Sequence, residues 1–151
     1  MTRLSGLIMV MSLTVAAGSA AAFPSHDTPS DSGQAKASFD EGYRHQKAER
    51  FAEAIDAYER SLKHDRRQAE ALSNMGFCYK SLKRYGRAIS AYKDALDINP
   101  DLAEAHEYLG EAYVELGKLP LAEREYKTLL KLDPDEAGEL KEKIEARRTV
   151  N

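Results

Sequence analysis

Between Ala69 and Leu82 the positions Leu72, Met75, Gly76 and Tyr79 recur at helical spacing, which predicts a helix. Lys83-Arg84 breaks the pattern, and it resumes from Tyr85 to Asp97 with Ala88, Ile89, Tyr92, Ala95 and Leu96 on one side. Asn99-Pro100 ends it, because proline restricts the residue before it and cannot continue the hydrogen-bond ladder. Asp101, with Glu104 three residues on, predicts the next helix start as a variant of the capping box. The pattern then returns. Gly76, Tyr79, Ala88, Tyr92 and Pro100 are matched by Gly110, Tyr113, Ala122, Tyr126 and Pro134, each 34 residues later. The same offset backwards gives a worn third copy in Gly42, Ala54 and Tyr58. An ungapped period of this size predicts a stacked array of helix pairs, since one unit cannot bury its apolar face alone. The units are 35–68, 69–102 and 103–136, and Pro120 sits just inside a second helix, where its missing N–H costs nothing. Residues 137–149 predict a closing helix with Leu140 and Ile144 packed inward and Lys141, Lys143, Arg147 and Arg148 exposed.

The small residues predict close packing. Gly42, Gly76 and Gly110 fall mid-helix, where glycine costs up to ~1 kcal/mol relative to alanine. Three at one register imply a helix approaching too closely for a Cβ, with Ala54, Ala88 and Ala122 expected opposite. Cys78 shares the register of Ala112 and predicts a buried small residue rather than a reactive thiol.

Composition narrows the class. The chain has 151 residues, 42% hydrophobic and 31% charged, enough for one domain with a modest core and biased toward helix. A net charge of −3 gives no bulk attraction for nucleic acid. The single cysteine excludes a disulfide framework and any multi-cysteine zinc site. Before the array, Arg3, an apolar run from Leu4 to Ala17 and the small residues Gly18 to Ala22 read as a secretory signal, residues 1–22. Cleavage is expected after Ala22, with Ala20 a second fit, and an uncleaved anchor is the alternative. The apolar run is short for a span of ~20 residues, so no membrane span is expected after cleavage. The mature chain is then exported, periplasmic or secreted. Residues 23–34, rich in Pro, Ser and Asp, predict a flexible lead-in.

No catalytic, metal or cofactor constellation emerges. His26, His45, His64 and His106 are scattered without an i, i+4 pair, and the glycines fall in helices rather than a phosphate-cradling loop. His106 takes a slot where a large residue packs and predicts a partly buried structural histidine.

With these residues the chain resembles the tetratricopeptide repeat (TPR) family. Counting Ala69 as position one, the second repeat places Leu72 in the usual Trp slot, then Gly76, Tyr79, Ala88, Tyr92, Ala95 and Pro100. The third has His106 in the Trp slot and Leu129 for the second Ala. The first departs most, at Ser38, Glu41, His45, Ser61 and Arg66, which suits a terminal unit in contact with water. The resemblance implies an all-α, right-handed superhelical α-solenoid of TPR helix pairs with a C-terminal closing helix. It also implies a non-catalytic protein–protein interaction module.

The resemblance further implies a concave peptide groove lined by positions 2, 5, 9 and 13 of each first helix, about 80° of one helical face. These are Lys36, Phe39, Tyr43 and Lys47; Glu70, Ser73, Phe77 and Ser81; and Glu104, Glu107, Glu111 and Glu115, with Asn74 and Tyr108 beside them. The groove would be aromatic in its first two repeats and acidic in its third. Three explanations of the acids stand open: a solvated helical face, compensation by Lys141 of the closing helix, or a pocket for a basic and apolar peptide. The family's carboxylate-gripping subtype carries Lys, Asn and Arg where this chain has Phe39, Tyr43, Glu104 and Tyr108; only Asn74 is kept. An acidic groove disfavours that ligand. The rival to an adaptor is an envelope scaffold or end-to-end self-association with an idle groove.

Overall fold

The computed structural model describes residues 31–149. They form seven helices: α1 (Asp31–Lys47), α2 (Phe51–His64), α3 (Ala69–Ser81), α4 (Tyr85–Ile98), α5 (Ala103–Glu115), α6 (Leu119–Leu132) and α7 (Pro134–Thr149). Among the described residues there is no strand, and no helix is long and apolar enough to cross a membrane. The signal segment and most of the lead-in lie outside the described residues. Residues 31–34, expected in the lead-in, instead form the first turn of α1, where Asp31 favours the helix N-terminus.

The helices pack pairwise in chain order, and each pair leans on the next. Within a pair the turn is the same three times. Glu49, Lys83 and Gly117 adopt positive φ (57°, 57° and 68°). The N–H of Arg50, Arg84 and Lys118 donates to the carbonyls of His45, Tyr79 and Tyr113 at 2.8–2.9 Å, which closes the left-handed C-cap of each first helix. Between pairs, Asp65, Asn99 and Asp133 are extended. Each turns its side-chain oxygen onto the backbone N–H two residues later, at 2.9, 3.2 and 3.0 Å. Asn99 therefore builds this turn, and the box expected at Asp101 does not form: Leu102 precedes α5 without a side-chain cap. Asp133 also takes the N–H of Glu136, so α7 begins at Pro134, a turn earlier than expected.

Tyr58, Tyr92, Leu129 and Leu140 are the large side chains buried most completely, with Ala54, Ala88 and Ala122 around them. Cys78 is buried among them, and burial pushes its thiol up to about 12. The close approaches at the repeated register are real, but their partners differ from those expected. A Cβ on Gly42 would lie 2.8 Å from the Tyr58 ring, and one on Gly76 would lie 2.7 Å from Tyr92. At Gly110 the nearest atoms belong to Leu140 of α7 rather than to Tyr126. The alanines give the second helices room, while the rings do the touching. In the last unit α7 has moved into the ring's place.

Candidate functional site

The concave side is formed by α1, α3 and α5, with α7 closing it. On α1, Lys36 is exposed and pairs with Asp40 at 2.7 Å. Phe39 is half-buried against the Tyr58 ring, centroids 5.6 Å apart. Tyr43 is 44% exposed, with the Lys47 ammonium 5.2 Å from its ring centre. On α3, Glu70 and Ser81 are exposed, Asn74 is half-buried, and Ser73 is buried with no partner for its hydroxyl among the described residues. Phe77 is half-buried between Phe51 and Tyr108, at 6.2 and 5.4 Å. Tyr108 continues the aromatic run to Tyr92 at 6.1 Å. A cleft of about 440 Å³ opens between α1 and the start of α3, floored by Ala35 and Phe39 and rimmed by Lys36, Asp65, Gln68 and Glu70.

The four acids of α5 do not share one environment. Glu104 and Glu115 are exposed. Glu111 is nearly buried, and its two carboxylate oxygens are taken by Lys80 of α3 and Lys143 of α7. Burial works against its charge, yet Lys143 and Lys80 outweigh burial and hold it below the usual carboxylate range. Glu107 is only 8% exposed, beneath α7. Burial first, then Glu111 and Glu136, push it up to about 7. So the middle of the expected acidic strip is internal, with α7 lying over it, and its two ends stay exposed.

Of the three explanations, compensation operates, through Lys80 and Lys143 rather than through Lys141. Lys141 stays on its own helix with Glu145 at 3.8 Å, while Lys143 crosses to Glu111. Arg148 likewise reaches Glu123; Lys141, Lys143 and Arg148 are exposed as expected, while Arg147 is half-buried. The signal for Lys143 is its place between Leu140 and Ile144, on the stripe that packs. For Lys80 it is the register, a charge where the other units carry Gln46 and Val114. The Lys80 ammonium also lies 4.4 Å from the centre of Tyr108 and 5.6 Å from that of Phe77, tying α3 to the aromatic run.

His106 behaves as expected. It is buried, with Nδ1 2.7 Å from Glu125 and Nε2 2.9 Å from the Pro100 carbonyl, and the bond to Glu125 raises its pKa against the effect of burial.

Two family profiles described as tetratricopeptide repeat match the chain, over residues 33–101 and 80–144. No curated protein matches it. Among solved structures it is similar to the first TPR of Spaghetti (RPAP3) bound to the HSP90 peptide SRMEEVD: 29% identity, 76% of this chain and 94% of that one, TM-score 0.71. It is also similar to the second TPR domain of human RPAP3 in complex with the HSP70 peptide SGPTIEEVD: 27% identity, 74% and 95% coverage, TM-score 0.70. The Arabidopsis OM64 TPR domain has the same fold at 17% identity, covering 77% and 98% with a TM-score of 0.74.

Proposed function

Since the chain belongs to the tetratricopeptide repeat family, we propose that it is a non-catalytic adaptor that binds a peptide segment of a partner protein in its concave groove. The leader-like residues 1–22 support an exported setting, periplasmic or secreted, for that activity. Two relatives above 25% identity are peptide-bound TPR domains, which supports the same use of the groove here. Their peptides are acidic. In this chain the exposed acids Glu70, Glu104 and Glu115 have no ion-pair partner among the described residues, which favours a partner with basic side chains. Tyr43 and Phe39 supply an apolar surface beside them, and aromatic side chains make strong anchors at interfaces.

The observation that carries this function is the open cleft between α1 and α3. With α7 over the middle of α5, the aromatic floor of Phe39 and the rim acids Asp65 and Glu70 form the accessible part of the groove. The test is a titration of the full chain with a short peptide alternating Lys and Leu, read by amide chemical shifts. Shifts should concentrate at Phe39, Tyr43, Asn74 and Glu70, and Glu70→Lys with Glu104→Lys should abolish them while the helical signal stays. Saturable shifts that survive both charge reversals would overturn the basic partner. Absence of shifts together with mass that grows with protein concentration would favour the self-assembling scaffold.

A further inference from the structure

Glu107 sits in an unusual setting. It is buried between α5 and α7, and among the described residues no hydrogen bond or ion pair reaches its carboxyl. Around it stand groups of its own sign. On α5 these are Glu111, one turn on, and Glu104, one turn back; on α7 they are Glu136 and Glu139; and Asp133 flanks Glu136. Glu136 has the same difficulty, with its Oε2 buried and unpartnered among the described residues. The cations nearby are Lys143 of α7 and Lys80 of α3, and both are engaged by Glu111. On the α6 side, His106 and Glu125 satisfy each other.

The same face of α5 meets α7 through Gly110, whose nearest side chain is Leu140. No other pair of successive first helices in the array packs so extensively. On α5 the closing helix therefore rests on an apolar contact, one ion triad, and a carboxyl that is compatible with burial only when it carries a proton, while its other side packs on α6, where Arg148 pairs with Glu123.

We propose that α7 is a pH-responsive cover: it docks on α5 while Glu107 is protonated and loosens when that carboxyl ionises, baring the third repeat's groove face. An ionised Glu107 in this position would be an unpaired charge facing Glu111, Glu136 and Glu139, and undocking returns it to water. The direction follows from linkage. In the docked chain burial, then Glu111, Glu136 and Glu139, push the Glu107 carboxyl from 4.5 up to about 7; the part that α7 supplies is a contribution to docking that is complete below the lower value and lost as pH rises toward the upper one. Across that window the docking constant falls by up to about tenfold per pH unit, the limit for one proton. Glu111 works the other way. Burial disfavours its charge, but Lys143 and Lys80 hold it below its ordinary range, so its contribution is lost only in stronger acid. The cover is tightest in mildly acidic solution, where one carboxyl is protonated and its neighbour one turn away is not.

Docking itself is independent of what the groove binds; the consequence for a partner rests on the peptide-binding function above. Hydrogen exchange of the full chain, corrected for the intrinsic pH dependence of exchange, reads docking alone. Protection of α7 amides should fall roughly tenfold or more from pH 5 to pH 7, while α3 amides change little. Glu107→Gln, neutral at every pH, should keep α7 protected at pH 7 and remove the slope. A flat wild-type profile overturns the proposal, as does a Gln variant that keeps the wild-type slope. If Glu107→Gln lowers the helical signal, Glu136→Gln takes its place: losing one like charge eases ionisation of Glu107 under α7, so the fall in α7 protection from pH 5 to pH 7 must shrink, and an undiminished fall overturns the proposal. A basic peptide that fails to bind leaves these profiles unchanged, so the two ideas fail separately.

Discussion

Positions five and nine of the first repeat are Phe39 and Tyr43; those of the third are Glu107 and Glu111. Both pairs point to the concave side. On α1, Tyr43 stands 44% exposed beside an open cleft, while on α5 Glu107 is 8% exposed under α7. An aromatic side chain thus lies in the open, and a carboxyl lies where an apolar residue would be expected. Register decides the direction in which a side chain points, and the next helix decides whether water reaches it. The acids of the third repeat look like a binding surface in one dimension and become a helix–helix junction in three.

The contrast can be broken most forcefully at Leu140, which is fully buried against α5. Leu140→Ala should cost about 2–5 kcal/mol, and the loss should fall on α7 docking rather than on the first two repeats. Chemical denaturation combined with exchange protection resolved by helix checks this.

A smaller effect separates the glycines. Gly76→Ala would place a Cβ 2.7 Å from the buried Tyr92 ring and should cost about 1–3 kcal/mol. Gly110→Ala meets the tip of Leu140, which can rotate aside, so it should cost less and loosen α7 alone. Equal losses in the two variants would mean that the third repeat packs like the second.

Hydroxyls sharpen the comparison further. Tyr58 Oη donates to Gln46 Oε1 at 2.7 Å, whereas the Tyr92 hydroxyl is buried without a partner among the described residues, its register equivalent of Gln46 being Lys80, which has turned to Glu111. Tyr58→Phe should cost about 0.5–1.5 kcal/mol in thermal unfolding, and Tyr92→Phe about none.

The smallest effect lies in the turns within pairs. Lys83→Gly should stabilise by about 0.5–1 kcal/mol, since φ is +57° there, and Gly117→Ala should destabilise by a similar amount. Urea midpoints are the readout.

The period and the helix pairs were legible because Gly, Tyr, Ala and Pro recur at one spacing, each with a backbone or packing reason. Cys78 and His106 were legible for the same reason, since each occupies a slot defined by its neighbours. The turns within pairs were only partly visible: Gly117 marks a left-handed position, whereas Glu49 and Lys83 adopt it without glycine. The side chains facing Gly42, Gly76 and Gly110 were missed because spacing names a face but not the atom that reaches it. The fate of Glu107 and Glu111 could not be read locally. It depends on Lys80 and Lys143, which lie 31 and 32 residues from Glu111, and on how closely α7 settles.

Carboxyl footprinting of the full chain with a carbodiimide and an amine, in mildly acidic solution, tests the covered third repeat most directly. Glu104 and Glu115 should label quickly and Glu107 and Glu111 slowly, with Leu140→Ala bringing all four toward one rate. Should Glu107 in the unaltered chain label as fast as Glu104, α7 does not cover that face, and the division of the groove into an open aromatic end and a closed acidic end is wrong.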